Sequence, residues 1–256
     1  MNISKTASSG IFKIVEKIVR SHPLIYYIFR YFVRFTNIFE EDAKGVKFLN
    51  FKDNVTIIDV GASDGIATKF FCKNLNVNKV FCYEPNMSYV KILRKLDLGN
   101  VKIYPYGISN KKSNHQVFLP RYSFFKNNFD LVTYTFYNKN DLVKQIKLDF
   151  KFTKNISIIK KNVTLKNIKS MKHKISLVKI DVNGHEYSVV QGLRNIIKKD
   201  KPAMIVETDK NIKKIEMLLK RFNYKKYLFD SNKNKFIKIK NNYPLNTYFL
   251  QKEHLN

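Results

Sequence analysis

A strand pattern that stops at two glycines and two acids constrains this chain more than any other feature. The stretch reads Val55-Thr56-Ile57-Ile58-Asp59-Val60-Gly61-Ala62-Ser63-Asp64-Gly65. Gly61 and Gly65 allow the backbone to turn sharply and to approach a ligand closely. The apolar periodic segment that follows them predicts a helix. The stretch is therefore typical of the first strand, turn and helix of a nucleotide-binding α/β fold.

The acids in this turn indicate which ligand it binds. A dinucleotide site carries Gly-x-Gly-x-x-Gly, which seats a diphosphate on the helix N-terminus. Here the spacing is Gly-x-x-x-Gly, and Asp64 brings a carboxylate to where phosphates would lie. S-adenosylmethionine carries a sulfonium and an ammonium group and no phosphate, so it suits an acidic turn on Coulomb grounds. An ordinary strand-to-helix turn of any α/β protein is the alternative interpretation.

Strands and helices alternate from Val55 onward, which predicts a mostly parallel sheet with helices on both faces. The predicted strands lie at 55–60, 79–83, 101–106, 175–182, 202–207, 224–229 and 246–251, and the predicted helices near 66–75, 87–97, 186–198 and 210–222. Residues 120–171 interrupt the alternation with an aromatic-rich segment that contains a strand-like run at 156–164. We interpret this insertion as a cap on the substrate side of a domain spanning 51–256.

Residues 1–50 are predicted to form an N-terminal helical segment. Residues 11–20 separate an apolar face from a basic one, and residues 24–39 set aromatic side chains around Arg30 and Arg34. Such a helix packs over its own domain or a second copy of the chain, or it lies in a membrane interface. We favour packing, which leaves a homo-oligomer and peripheral membrane contact through residues 11–39 as open interpretations.

The formal charge of +28, from 48 basic and 20 acidic residues, favours anionic partners only weakly. The basic residues are spread along the whole length and form no localised stripe, which argues against nucleic acid. The N-terminal residues lack the arrangement of a signal peptide. The apolar runs fall short of the ~20 residues that cross a bilayer. We therefore expect a cytoplasmic protein that is at most peripheral at the inner membrane face.

Seven acids lie at or just past the predicted carboxyl ends of strands, the edge where open α/β sheets bind ligands. They are Asp59, Asp64, Glu84, Asp181, Glu186, Glu207 and Asp209. Glu84 follows its strand directly and lies near the ~20-residue offset from Asp59 at which an acid binds ribose hydroxyls. We predict that Glu84 binds the ribose. Glu186 and Asp209 fit equally well as capping or first-turn acids of helices.

A second stretch brings three ionisable groups to the same edge within six residues. Asp181 ends a buried strand, Gly184 permits a tight turn, and His185 and Glu186 open a helix. Methyl transfer to a hydroxyl needs an aligned oxygen and a carboxylate or imidazole that takes its proton. We predict that Asp181 orients the nucleophile or contacts the methionine moiety, that His185 is a candidate general base, and that Glu186 lines the reaction centre. The spacing carries no metal-ligand signature, so no metal is predicted.

Together these stretches resemble the FkbM family of S-adenosylmethionine-dependent methyltransferases over roughly residues 57–227. The matching residues are Asp59 to Gly65, Glu84-Pro85, Tyr106 to Ser109, Lys179 to Glu186 with Gly192, and Lys201-Pro202 leading to Glu207. The resemblance implies a Rossmann-like class I methyltransferase fold with a seven-stranded sheet, S-adenosylmethionine as donor, and usually O-methylation, often of sugars in surface polysaccharides. It also implies that Ile108 and Ser109 lie near the adenine.

Two positions depart from the family pattern. Asn183 stands where the family tends to have Glu, and Lys166 stands where it tends to have Asp on the substrate side. The second departure leaves the acceptor open more than the donor. The predicted donor-binding residues are Asp59, Gly61, Ala62, Asp64, Gly65, Glu84, Ile108, Ser109 and Asp181.

We therefore predict an S-adenosylmethionine-dependent O-methyltransferase that acts on a hydroxyl of a sugar in a surface glycan or glycolipid precursor. One alternative is an RNA or DNA methyltransferase, against which the chain has no Asn-Pro-Pro-Tyr motif and no cysteine placed for C5 chemistry. The other alternative is a non-catalytic, membrane-associated scaffold with a degenerate methyltransferase fold.

Overall fold

The computed structural model describes Val19 and residues 22–33, 42–150 and 154–255. The helix predicted over 11–20 lies outside these residues apart from Val19, and so does the 34–39 end of the aromatic segment. The described part of that segment is helix α1 (Pro23–Val33). Pro23 occupies the first helical position, where a missing backbone N–H costs nothing. A short 3₁₀ helix, Asp42–Phe48, then leads towards the first strand.

The described residues form twelve strands and seven α-helices. The strands are β1 (Val55–Val60), β2 (Val77–Tyr83), β3 (Val101–Tyr104), β4 (Gly107–Ile108), β5 (Ser113–Phe124), β6 (Asn127–Asp130), β7 (Ile156–Lys166), β8 (Leu177–Ile180), β9 (Ala203–Glu207), β10 (Lys225–Asp230), β11 (Lys235–Lys238) and β12 (Asn246–Leu250). The helices after α1 are α2 (Ile66–Asn74), α3 (Met87–Arg94), α4 (Lys139–Asp149), α5 (Glu186–Gly192), α6 (Arg194–Asp200) and α7 (Ile212–Lys220).

Eight strands form the main sheet in the order β11-β10-β12-β9-β8-β1-β2-β3. The five strands from β9 to β3 are parallel, whereas β12 runs antiparallel between β9 and β10. All seven predicted strands lie in this sheet, and the Rossmann-like class I fold is confirmed. The additional strand, β11, is a short antiparallel partner of β10 at the sheet edge.

Both faces of the main sheet are covered, because successive strand residues point to opposite sides. On one face, Ile57 of β1 packs with Phe71 of α2 and Leu93 of α3. On the other face, Ile58 packs in a cluster with Val189 of α5, Ile197 of α6 and Ile215 of α7. The central strands β1, β8 and β9 are therefore buried on both sides, which explains their nearly continuous apolar sequences.

A second sheet of four strands has the order β4-β7-β5-β6. Its long strands β5 and β7 pair antiparallel from Ser113↔Leu165 to Tyr122↔Ile156, so the strand predicted at 156–164 corresponds to β7. The second sheet begins at Gly107, before the predicted insertion boundary at 120. Sequence analysis missed β5 because residues 114–116 of this strand are exposed and carry no apolar alternation.

The second sheet and helix α4 form a second unit, and helix α1 packs on this unit through one face. The ring of Tyr26 lies 5.4 Å from Tyr134 and 5.7 Å from Phe150, between centroids, in a small apolar core that also includes Leu24. Ile28 and Phe32 are 47% and 62% exposed, so they face away from that core. Among the described residues, no helix is long and apolar enough to span a bilayer.

The single helix predicted over 186–198 is divided into α5 and α6 at Leu193. Gly192 ends α5 where the helix meets the end of β4. A Cβ atom at this position would lie 2.3 Å from the carbonyl oxygen of Ser109. Only glycine allows so close an approach, which brings the start of α5 beside the Ile108–Ser109 segment.

Candidate active site at the carboxyl edge of the sheet

The glycine turn after β1 lies directly against the end of β8. Gly61, Ser63 and Gly65 all have positive φ angles, of 78°, 52° and 81°. A Cβ atom on Gly61 would lie 1.8 Å from the carbonyl oxygen of Asp181. The turn therefore requires glycine both for its backbone conformation and for the space between the two strand ends.

Glu84 ties the end of β2 to this turn. Its Oε2 accepts the backbone N–H of Ser63 at 3.0 Å, and its Oε1 accepts that of Asn86 at 2.7 Å. Burial raises the pKa of Glu84 to about 7, and the nearby carboxylates of Asp59 and Asp181 add to that shift. Each carboxylate oxygen can accept a further hydrogen bond, so the group retains acceptor capacity towards the hydroxyls of a ribose.

Asp59 lies beneath the turn. Its side chain is fully buried and accepts a hydrogen bond from the Thr68 hydroxyl of α2 at 2.6 Å. Burial raises the pKa of Asp59 above its ordinary value, although the charge of Lys179 opposes that shift. Asp59 thus fastens β1 to α2, and the structure places its carboxylate inside the protein, below the glycine turn.

Lys179 is a buried cation that connects two of the predicted acids. Its Nζ lies 3.1 Å from Oδ2 of Asp181 and 3.9 Å from Oδ1 of Asp59. Desolvation would raise the pKa of Asp181, but Lys179 and a hydrogen bond with Glu207 lower it below its ordinary value. Asp181 is therefore ionised at neutral pH. A lysine within a buried apolar strand was the one sequence signal for this pair, since buried lysines need partners.

Glu186 is held by the turn that precedes it. It accepts the backbone N–H groups of Val182 and Gly184 at 3.1 and 3.0 Å and is fully buried. Burial and the neighbouring carboxyl of Asp209 raise its pKa to about 8. The side chain thus stabilises the 182–184 turn, as its alternative interpretation as a first-turn acid predicted.

Asp64 forms an ion pair with a residue of the N-terminal helix. Nη2 of Arg30 in α1 donates to both carboxylate oxygens of Asp64, at 2.9 and 2.8 Å. The Asp64 side chain is only 2% exposed. Burial alone would lower the pKa of Arg30, but Asp64 raises it above its ordinary value, so the guanidinium stays charged. The predicted acidic turn is therefore partly neutralised by a cation from a distant segment.

His185 lies in an aromatic cluster beside Ser109. Its Nε2 is 3.1 Å from the Ser109 hydroxyl, and its ring stacks on Tyr137 with centroids 4.5 Å apart. The His115 ring lies 5.8 Å from that of His185. Burial lowers the pKa of His185 to about 4, and the charge of His115 contributes to this shift. His185 is therefore neutral at physiological pH and belongs with the Ile108–Ser109 segment.

Tyr137 is the aromatic residue of this cluster that sequence analysis missed. Burial raises its pKa above the ordinary value, and so do the charges of Glu84 and Glu186. Its hydroxyl oxygen lies 3.4 Å from the position of a Cβ atom on Gly107. Because its ring also stacks on His185, Tyr137 joins the second unit to the start of α5. The aromatic content of the insertion was the only signal for it, and that content did not single out one residue.

The structure brings the predicted acids to one edge, as the parallel strand ends require. Glu84 directly follows β2, Asp181 directly follows β8, and Glu207 is the last residue of β9. Besides Tyr137, the sequence did not assign the cations Arg30 and Lys179 to this site. Among the described residues, no group of three or more His, Cys, Asp and Glu side chains is arranged to hold a metal ion.

Comparison with known protein families gives one match. The family described as "Methyltransferase FkbM domain" matches residues 59–226, which is more than half of the 256 residues. This range contains the glycine turn, Glu84, Ser109 and the Asp181–Glu186 segment. No curated protein sequence matches the chain.

The chain is also similar, at low sequence identity, to solved structures of several methyltransferases. Methyltransferase FkbM from Methylobacillus flagellatus KT is 14% identical with a TM-score of 0.49, and the match covers 79% of this chain and 45% of that protein. TrmK from M. capricolum, in complex with S-adenosyl-homocysteine, is 13% identical with a TM-score of 0.41, covering 86% and 71% of the two chains. TYW2 from M. jannaschii, in complex with AdoMet, is 13% identical with a TM-score of 0.36, covering 83% and 74%.

We predict that the pKa of His185 lies far below that of an ordinary histidine. Its imidazole resonances in an NMR titration should move with a midpoint near pH 4, because burial opposes the charged form. In a His115→Gln variant the midpoint should rise but stay below 6.5, since burial persists. The resonances of His185 are identified as those that are missing from the spectrum of a His185→Gln variant. A midpoint at or above 6.5 in the native protein would contradict the buried position beside Ser109 and Tyr137.

Proposed function

The chain belongs to the FkbM family of methyltransferases, and from this premise we propose that it is an O-methyltransferase acting on a sugar hydroxyl in a surface glycan or glycolipid precursor. Glu84 is the observation that carries the donor-binding part of this proposal. It is a buried carboxylate that is bonded to the glycine turn and still able to accept hydrogen bonds. The chain spans less than half of the Methylobacillus protein named above, so the proposal concerns this domain.

The cofactor is S-adenosylmethionine, which supplies an electrophilic methyl group on a sulfonium. The residues at the strand ends fit this cofactor. Glu84 would accept the ribose hydroxyls, and Ile108 and Ser109 would contact the adenine. The carboxylates of Asp64 and Asp181 would repel a diphosphate, whereas they favour a ligand that carries positive charge.

Asp181 is the predicted catalytic residue best suited to an acceptor hydroxyl. It is ionised, it follows β8 at the open edge, and its side chain is partly exposed. A carboxylate in this position can accept the hydroxyl hydrogen bond and align the oxygen for in-line attack. Lys179 would hold this carboxylate in place from below.

We assign different roles to the other two predicted catalytic residues. Both oxygens of Glu186 face backbone N–H groups, so we propose that it shapes the turn before α5. With a pKa of about 4, His185 is a weak base at neutral pH. Its bond to Ser109 supports a place on the adenine side of the donor site, where it would position rather than deprotonate.

Two residue groups support peripheral membrane contact as a second proposal. Helix α1 exposes Ile25, Ile28 and Phe32, and Phe125 at the turn of the β5–β6 hairpin is 90% exposed. The ring of Tyr27 in α1 lies 5.2 Å from that of Phe129 in β6, so the helix and hairpin are neighbours. A chain with a formal charge of +28 is complementary to an anionic lipid surface. A lipid-linked sugar acceptor would suit such a location.

We expect donor binding to depend on the ionisation of Glu84. As pH rises from 6 to 8, the carboxyl with a pKa of about 7 loses its proton and becomes a better acceptor. S-adenosylmethionine affinity should therefore increase up to about tenfold over this range in calorimetry. At pH 8 the Glu84→Gln variant should bind S-adenosylmethionine about tenfold more weakly than the native protein does, and its affinity should not change with pH.

Glu216→Gln is the matched control, because Glu216 of α7 pairs with Lys226 of β10, near the sheet edge opposite β2 and β3. That variant should retain native affinity and native pH dependence. If Glu84→Gln kept the same pH dependence as the native protein, Glu84 would not be the ribose-binding group.

Methyl-labelled donor identifies the acceptor class directly. With a fractionated extract of the source cells, label should appear in polysaccharide or lipid-linked sugar as a methyl ether that resists mild base. Glu84→Gln should reduce the labelling rate at least tenfold at limiting donor. Nuclease-sensitive label would instead support the RNA or DNA methyltransferase alternative. Donor binding without any labelled product in all fractions would favour the scaffold.

Membrane contact should be measurable by flotation with vesicles. The native protein should float with anionic vesicles and much less with neutral ones. The Ile28→Ser, Phe32→Ser double variant should bind at least about a hundredfold more weakly, since each inserted apolar side chain contributes ~1.5–3 kcal/mol. Leu148→Ser, at a residue 79% exposed on α4, should be neutral. A native protein that ignores vesicles and forms dimers through this face would support a homo-oligomer instead.

A further inference from the structure

The ion pair between Arg30 and Asp64 joins the N-terminal helix to the glycine turn. The two residues are 34 positions apart in sequence. Asp64 occupies the turn between Ser63 and Gly65, the residue that caps α2. The backbone N–H of Ser63 is bonded to Glu84, which we propose to bind the ribose. The ion pair is therefore next in sequence to a residue that contacts Glu84.

Arg30 has hydrogen-bonding capacity beyond this pair. Both of its bonds to Asp64 come from Nη2, whereas a guanidinium carries five N–H donors. Its Nε is buried and has no hydrogen-bond partner among the residues that the structure describes. A buried donor without a partner costs free energy, and a ligand acceptor beside it would recover that cost.

The charge of Arg30 extends to the end of β8. It contributes to lowering the pKa of Asp181, so the guanidinium lies within electrostatic range of that carboxylate. Lys179 already compensates Asp181 from inside the protein. Arg30 is thus a cation that is paired with Asp64 and also acts on Asp181, at the edge where the donor would lie.

We propose that Arg30 binds the carboxylate of the methionine end of S-adenosylmethionine, with Asp64 or Asp181 facing its ammonium group. This inference rests on the proposed function and adds a residue to the donor site. An α-amino acid is a zwitterion, and a cation next to a carboxylate is complementary to it. Helix α1 is then the wall of the donor site at the methionine end.

The experiment compares ligands that differ only at this end. S-adenosylmethionine, S-adenosylhomocysteine and decarboxylated S-adenosylmethionine are titrated into the native protein and into Arg30→Gln by calorimetry. The variant should lose about tenfold to a hundredfold in affinity for the first two ligands. It should bind the decarboxylated ligand as the native protein does. Arg30→Lys should recover part of the affinity, because it restores the charge without the planar fork.

The matched control is Arg121→Gln, which removes an arginine whose Nε is 2.7 Å from Asp130 in the β5–β6 hairpin. It should leave all three affinities unchanged. Equal losses for all three ligands in Arg30→Gln would overturn the proposal and assign Arg30 to holding α1. Unchanged affinities would also overturn it. If the variant unfolds, the native protein still decides, because removing the ligand carboxylate should cost it about tenfold or more.

Failure of the proposed function gives a different result. In that case the native protein binds none of the three ligands. Native binding of S-adenosylmethionine that does not distinguish it from the decarboxylated form would contradict the role of Arg30 alone.

Discussion

The close contact between the ends of β1 and β8 is the constraint on which the rest of the site depends. The carbonyl oxygen of Asp181 lies where a side chain on Gly61 would have to be, at 1.8 Å from the Cβ position. Because of this contact, the glycine turn, Asp181 and the end of β2 meet at one edge. Glu84 then accepts the N–H of Ser63, which joins the end of β2 to the same turn. Side chains from separate strands are thereby held at a single edge of the sheet.

The carboxylates at this edge differ in protonation because their surroundings differ. Asp181 has a cation beside it and a lowered pKa. Glu84 has only neutral N–H partners and a pKa of about 7, and Glu186 faces another acid and has a pKa of about 8. One ionised group, one group that titrates near neutrality and one that is mostly protonated therefore lie close together. That division suits a site that must orient a hydroxyl, hold a ribose and keep a rigid turn.

Elements outside the main sheet complete the site. The second sheet supplies His115, and the segment that leads into α4 supplies Tyr137, both of which pack around His185. Helix α1 packs on the same unit through Tyr26 and sends Arg30 to the glycine turn. The helix, the second unit and the donor turn are thus joined by direct contacts.

The sequence alone determined seven of the eight strands of the main sheet, the glycine turn, and the edge at which the acids meet. These features are encoded locally, because apolar runs, glycine conformations and strand ends depend on neighbouring residues. Only the tertiary structure decided the partners: Arg30 for Asp64, Tyr137 and Ser109 for His185, and Lys179 for Asp59 and Asp181. Most of these contacts join residues far apart in the chain, and local periodicity carries no information about them. The protonation states were also decided by the tertiary structure, since burial and neighbouring charges exist only in the folded chain.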